Sequence, residues 1–197
     1  LNFFNEDIHL LFYFLFLLII FFVFLNFENN LSELFLSLTS SISNVGFSLN
    51  NPPTNLSFIF LILVIIGGSF FSTSSGIRFL KIYSLFKYSI NEILSYSRPK
   101  NIYINKHLFS KDSFKLDEIY KYFLSVIVFI ISLLILTFLL TLSGIDFESS
   151  FKLSILTIMN TVNSSMFGLS DFSFYDLHFM TKYYLIFFMI IGRLELL

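Results

Sequence analysis

The sequence predicts an all-α membrane protein built from tandem span–pore-helix–span repeats, with re-entrant loops and a broken intramembrane helix. Three observations carry this prediction. Of the 197 residues, 56% are hydrophobic and only 13% are charged, whereas about one quarter of the residues of a soluble domain are charged. Long apolar segments alternate with shorter ones, and the same order of segments occurs twice along the chain.

Two long segments, residues 8–24 and 124–142, are almost wholly apolar. About 20 such residues in a helix cross a hydrocarbon core of roughly 30 Å, so each segment is predicted to span. Shorter apolar stretches occupy residues 57–66 and 183–192. The chain starts at Leu1 rather than Met and stops just after a charged pair inside an apolar segment, and we therefore expect a fragment of a longer protein.

A short amphipathic helix is predicted after each long span, at residues 30–42 and 146–162. Each leads into an uncharged tip with one glycine, at residues 43–48 and 165–170. Glycine allows the φ values that align successive carbonyls, and a helix C-terminus carries partial negative charge. Because carbonyl oxygens can replace the hydration shell of a cation, each tip is predicted to bind a permeating cation.

The repeat is predicted to have an offset of 122 residues, from Gly46 to Gly168. The matching triplets Ile65-Ile66-Gly67 and Ile190-Ile191-Gly192 support a duplication, because they lie in corresponding spans. Each unit returns the chain to the side where it began, so both units have the same orientation.

The run at residues 67–76, GGSFFSTSSG, is too polar for an unbroken helix in lipid. Non-helical backbone at membrane depth occurs only where it is buried in protein or lines water. We expect a broken helix, because the apolar stretch before Gly67 is too short to cross. The alternative is a helix that ends near Gly67 and leads into a solvated loop.

Charge is distributed unevenly. Nine of the 12 basic residues lie in one block, and the positive-inside rule predicts that this block is cytoplasmic rather than bound to nucleic acid. They are Arg78, Lys81, Lys87, Arg98, Lys100, Lys106, Lys111, Lys115 and Lys121. The loops that hold the tips carry six acidic residues against Lys152 alone, so the tips are predicted to face outward, where acidic groups concentrate cations.

Three motifs resemble the TrkH/KtrB potassium-uptake proteins. Residues 67–78, GGSFFSTSSGIR, look like that family's GG-x-x-G-S-T-G-G-G-I-K run. Residues 43–48 look like its N-x-G-F-S filter tip, and residues 192–195 are similar to its terminal G-R-L-E. In that family one chain holds four span–pore–span repeats around one pore, and this chain would supply the third and fourth.

The resemblance implies a filter for K⁺, an intramembrane gating loop and one pore charge, Arg193. The implied filter residues are Asn44, Val45, Gly46, Phe47, Met166, Phe167, Gly168 and Leu169. The implied gating-loop residues are Gly67, Gly68, Ser72, Thr73, Ser74, Ser75 and Gly76. Either Met166 or Gly168 fits the fourth filter position. Gly168 is preferred because only glycine supplies the geometry freely.

The predicted function is uptake of potassium ions, with Na⁺ as the alternative ion. A subunit of a tetrameric cation channel and a non-conducting structural fragment are the alternative classes. An enzyme is disfavoured, because the sequence has no His/Asp/Glu cluster, nucleophile motif or phosphate loop, and no cofactor is expected. The predicted divisions are a first repeat at 1–76, a cytoplasmic linker at 77–120 and a second repeat at 121–197.

The expected partners are membrane lipid and the rest of the same protein. The resemblance further implies a homodimer and a cytoplasmic nucleotide-binding regulatory subunit. Nucleic acid is not expected as a partner. The expected location is the plasma membrane.

Overall fold

The protein is described from a computed structural model. The structure describes residues 13–23, 31–47, 56–66, 77, 79–96, 116–163, 165–169 and 174–193. Within these ranges the chain is helical and contains no strand. The described residues form seven α-helices, which are α1 Tyr13–Val23, α2 Leu31–Ile42, α3 Ser57–Ile66, α4 Phe79–Tyr96, α5 Leu116–Leu142, α6 Phe147–Ile158 and α7 Phe179–Arg193.

Helix α5 is the long apolar helix of the fold. Its segment Asp117–Leu142 has 26 residues, and within the described part of the chain it alone is long and apolar enough to cross a membrane. Only 28% of its most apolar window is buried, and large side chains such as Leu134 and Phe138 are exposed. A core helix of a soluble protein would be mostly covered, so this surface needs an apolar surrounding.

Helix α6 lies at the centre of the packing and contacts α5, α7 and α3. Its N-terminal turn is exposed and acidic, whereas every residue of Leu153–Ile158 is buried. Burial on all sides is expected when a helix passes into the interior instead of lying on a surface. The short helix therefore points its C-terminus into the core.

Helix α2 packs on α3, and the two share Leu34, Leu38, Phe60 and Val64 with the main hydrophobic core. A 3₁₀ turn, Ser165–Phe167, contacts α3 and connects the first half to the second. Helix α4 contacts α5.

The short helix predicted at 30–42 is confirmed as α2, and the apolar stretch at 57–66 is confirmed as α3. The helix predicted at 146–162 ends earlier, at Ile158, because the chain turns at Asn160 with a φ of +55°. The predicted linker at 77–120 contains α4 and the start of α5. The predicted boundaries between the repeats stay a prediction.

Candidate functional site: two matched helix ends

Helices α2 and α6 correspond residue by residue. Each has 12 residues, and they start at Leu31 and Phe147 and end at Ile42 and Ile158, an offset of 116 residues at both ends. Inside them, Ser41 and Thr157 occupy the same position, and each hydroxyl donates to the carbonyl four residues earlier, at 2.7 and 2.6 Å. The offset therefore holds along the whole helix.

The residues after the two helices also match; residues 43–47 are the first cap segment and residues 159–163 the second. Val45 N–H donates to Ser40 O at 3.0 Å, and Thr161 N–H donates to Leu156 O at 2.9 Å. Asn44 N–H and Asn160 N–H each donate three residues back, at 3.2 and 3.1 Å.

This bond pattern is the Schellman motif, in which a left-handed residue ends a helix and satisfies its last carbonyls. Asn44 and Asn160 are the left-handed residues, with φ values of +56° and +55°. Asparagine tolerates this conformation better than most residues. Both helices therefore end in the same geometry, and their last carbonyls are bonded within the motif.

The two cap segments touch through their backbones. Val162 N–H donates to Val45 O at 3.2 Å. Gly46 has a φ of +85°, and a Cβ there would stand 2.2 Å from Val162 O and 2.9 Å from Val162 N. Only glycine fits this approach. Val45 is predicted to offer its carbonyl to a cation. One lone pair of that carbonyl already accepts a hydrogen bond from the second cap segment.

The predicted repeat offset of 122 residues is wrong, because the helix ends match at 116. The counterpart of Gly46 is Val162, and Gly168 lies six residues further on, in a turn of residues 165–169. The second half thus contains additional chain between its cap segment and its last span. The sequence does not reveal this insertion readily, because Gly46 and Gly168 are the most visible match between the halves.

The 165–169 turn is anchored in the core. Met166 and Phe167 are fully buried, and Ser41 Oγ lies 3.8 Å from Met166 Sδ. Gly168 has the positive φ expected of it, +73°, and it is exposed. The side chains of Met166 and Phe167 therefore hold the turn between the helices of the two halves. A contribution of residues 166–169 to a cation filter stays a prediction.

Lys152 lies beside this turn on the second turn of α6. Its Nζ is 2.6 Å from Glu148 Oε1, and the Lys152 side chain is only 16% exposed. A Cβ on Gly168 would stand 3.2 Å from Lys152 Nζ. The hydrogen bond from Lys152 lowers the pKa of the exposed Glu148 carboxyl.

A cavity of about 170 Å³ lies behind the second cap segment, between α6 and α7. Its walls are mainly apolar, with Leu153, Leu156, Leu185 and Met189 among them. Thr161 also borders it, and Thr161 Oγ1 is buried with no hydrogen-bond partner among the described residues.

The roles predicted for the other site residues stay predictions. Val45 and Phe47 are exposed and Asn44 is buried. Arg193 is the last residue of α7, and its side chain is exposed. All seven gating-loop residues, between Gly67 and Gly76, lie outside the described residues. Within the described ranges, no group of three or more His, Asp or Glu residues could hold a metal ion.

Comparison with known proteins decides the fold. No family model matches the chain, and no curated protein matches it either. Among solved structures, the potassium transporter TrkH from Vibrio parahaemolyticus matches with a TM-score of 0.75, over 91% of this chain. The chain has the TrkH fold. The two proteins are 20% identical, and the chain corresponds to 40% of the TrkH chain.

The TrkH-like fold confirms the predicted all-helical architecture and the fold of the family that the motifs resemble. The position of this chain within the longer TrkH chain stays a prediction. Sequence reasoning missed Asn160, Thr161, Val162 and Asn163. The signal that would have found them is the shared Ile-x-Asn, at residues 42–44 and 158–160, directly after two amphipathic stretches of equal length.

Proposed function

We propose that the chain is part of a membrane protein that moves potassium ions through a conduit lined by its two cap segments. The observation that carries this proposal is the meeting of two identically terminated helices, Val45 against Val162, inside a TrkH-like fold. Two helix C-termini directed at one point combine their partial negative charges there. A cation at that point is favoured without any fixed anionic side chain.

The backbone oxygens of the cap segments are the proposed ligands. Residues 44–47 serve in the first half, as their sequence implied. In the second half we assign the role to residues 161–163, because they stand in the register of the first cap segment. Neutral oxygens suit K⁺, since they replace its hydration shell yet let it leave. Where Gly46 stands in the first half, the second half has Val162.

The conduit is completed by parts of the protein that the chain does not contain. The TrkH chain is longer, and two units cannot surround a fourfold axis, so the proposal includes two further units from the same protein. The run at residues 67–76 is the proposed gating loop, and Arg193 is the proposed pore charge. A homodimer and a cytoplasmic nucleotide-binding regulatory subunit belong to the proposal by resemblance alone.

The exposed apolar surface of α5 supports a location in a membrane, and the plasma membrane is the proposed one. With the acidic loops outside and the basic block inside, both short helices enter from the external side. Their partial positive N-termini then lie near Glu33 and Glu148, which are favourably placed there.

Ion uptake by the full-length protein tests the function. The protein is expressed in cells that lack potassium uptake, and uptake of K⁺, Rb⁺ and Na⁺ is compared with an empty vector. We expect uptake of K⁺ and Rb⁺ to exceed that of Na⁺. Equal uptake with and without the protein, at a verified amount of protein in the membrane, would refute ion transport and favour a structural role.

A further inference from the structure

The Asn160 side chain joins the second cap segment to a neighbouring helix. Its amide Nδ2 donates to Met189 O on α7 at 3.1 Å, and it also contacts Ile158 O at 3.4 Å. The backbone of Asn160 is left-handed, with a φ of +55°. One amide group therefore bonds Ile158, the last residue of α6, and Met189, which lies four residues before Arg193 in α7.

Helix α7 crosses the end of α6 with almost no space between them. A Cβ on Gly192 would stand 1.9 Å from Ile158 O and 3.2 Å from Asn160 Nδ2. The absence of a side chain at Gly192 thus lets the two backbones meet beside the amide of Asn160. Arg193 follows Gly192 directly, so this basic residue starts from the same contact point.

The charges at this contact point are also of opposite sign. The C-terminus of α6 carries partial negative charge, and a cationic side chain next to it is stabilised. Arg193 is held near that end by the Gly192 contact and by the bond from Asn160 to Met189 O, and Thr161 of the second cap segment follows Asn160 at the same end. The position of the arginine and the position of the cap segment therefore depend on one set of contacts.

We propose that Asn160 is a positioning residue that couples the second cap segment to the Arg193 end of α7. Movement of that end of α7 breaks or strains the bond to Met189 O, and the strain passes to Thr161 and Val162, which follow Asn160 in the chain. The readout by ion flux rests on the proposed transport function. The coupling itself is a property of the contacts between α6 and α7.

A purely structural role for Asn160 makes a different prediction. As the left-handed residue of a helix end, it is replaceable by glycine, which adopts that conformation without strain. Asn160→Gly therefore keeps the backbone and removes only the amide. Asn44→Gly is the matched control, because Asn44 has the same backbone geometry at the end of α2.

The experiment uses the full-length protein in proteoliposomes and measures Rb⁺ flux for Asn160→Gly, Asn44→Gly, Arg193→Ala and the two double variants with Arg193→Ala. We expect Asn160→Gly to raise flux by about threefold or more, because Arg193 is no longer held beside the cap segment. The double variant of Asn160 and Arg193 then has the flux of Arg193→Ala alone. In the double variant of Asn44 and Arg193, we expect the two single effects on flux to multiply.

The coupling is overturned if Asn160→Gly behaves as Asn44→Gly does, or if its effect multiplies with that of Arg193→Ala. Should Asn160→Gly lower the thermal midpoint in detergent far more than Asn44→Gly, Asn160→Asp replaces it, since aspartate keeps the shape and loses the donor.

Hydrogen exchange separates this proposal from the transport function. If the wild-type protein carries no cation, transport fails, but amide exchange at Thr161 and Val162 still reports the coupling. We expect Asn160→Gly and Arg193→Ala each to accelerate that exchange, with no further increase in the double variant. Unchanged exchange in Arg193→Ala would refute the coupling whatever the outcome of the flux measurements.

Discussion

The first and second cap segments share one backbone design and differ at the second residue after the left-handed asparagine. In the first half that residue is Gly46, which is buried with a φ of +85°. In the second half the same position is Val162, which is half exposed. Among the described residues other than glycine only Asn44 and Asn160 have a positive φ, so Val162 does not follow Gly46 in conformation.

The difference between Gly46 and Val162 makes the two cap segments complementary in shape. Because Gly46 has no Cβ, the backbone of Val162 can approach and bond Val45 O. One half supplies the space and the other half fills it, so strict identity of the two halves is not required for them to meet. The helix ends fix where each cap segment starts. The missing side chain at Gly46 then leaves the space that the backbone of Val162 occupies.

Gly46→Ala is the change expected to disturb this arrangement most. A Cβ would collide with Val162 O at 2.2 Å and would also face the positive φ. We expect a loss of about 2–5 kcal/mol in the free energy of unfolding, from backbone strain plus overpacking. Thermal unfolding of the purified full-length protein in detergent measures it.

Gly144→Ala is the control for Gly46→Ala. Gly144 has a φ of +92°, but apart from its chain neighbours no atom of the described residues lies within 4 Å of its Cβ position. It should lose only the strain contribution, about 1–2 kcal/mol. Equal losses for the two variants would mean that the cap segments are not in contact.

Gly192→Ala should have the next largest effect, and it acts on the second half alone. Its Cβ would overlap Ile158 O, a backbone atom that cannot rotate away. We expect a loss of about 1–3 kcal/mol through separation of α6 from α7. Ile186→Ala, on an exposed site of the same helix, is the control for loss of helix surface. A Gly192→Ala protein as stable as this control would contradict the close crossing.

Arg193→Ala tests whether the pore charge is separate from the filter. A fixed positive charge in a cation path raises the barrier, so its removal should raise Rb⁺ flux by about threefold or more. The ratio of Rb⁺ to Na⁺ flux should stay within about twofold of wild type, because the filter contacts remain. A loss of ion preference would instead assign Arg193 to the filter.

Lys152→Met should have the smallest effect, again limited to the second half. Glu148 is exposed and an ion pair open to solvent contributes little, while methionine keeps the apolar packing of the Lys152 stem, so the thermal midpoint at neutral pH should fall by about 2 °C or less. The pKa of Glu148 is lowered by Lys152, so the contribution of the pair is present above the ordinary value of 4.5 and is lost as the pH falls through the lowered pKa. The difference between variant and wild type should therefore shrink below pH 4.5. A difference in thermal midpoint that grows on acidification would contradict a stabilising ion pair between Lys152 and Glu148.

Much of the fold could be predicted from the sequence, because hydrophobic length and helical periodicity are local signals. The bounds of α2 and α3 follow from apolar spacing and from breaks in composition. The end of α6 was misjudged by four residues, because apolar residues continue to Val162 while Asn160 turns the backbone. A single left-handed asparagine is a weaker signal than an apolar run.

The second cap segment could not be found by matching glycines. Gly168 has a positive φ, as a glycine match predicts, yet its turn is an insertion anchored by Met166 and Phe167. Val162 lacks the glycine that marks its counterpart, so the correspondence shows only in the short Ile-x-Asn match and in the hydrogen bonds of the two helix ends.

The register of the two halves is tested most directly by ion preference. Val162→Gly and Gly168→Ala are compared with wild type in the full-length protein in proteoliposomes, by the ratio of Rb⁺ to Na⁺ flux. With an offset of 116 residues, Val162→Gly should change this ratio by about threefold or more, whereas Gly168→Ala should leave it near the wild-type value. A ratio that responds to Gly168→Ala and not to Val162→Gly would contradict the assignment of the cap segments and restore the offset of 122 residues.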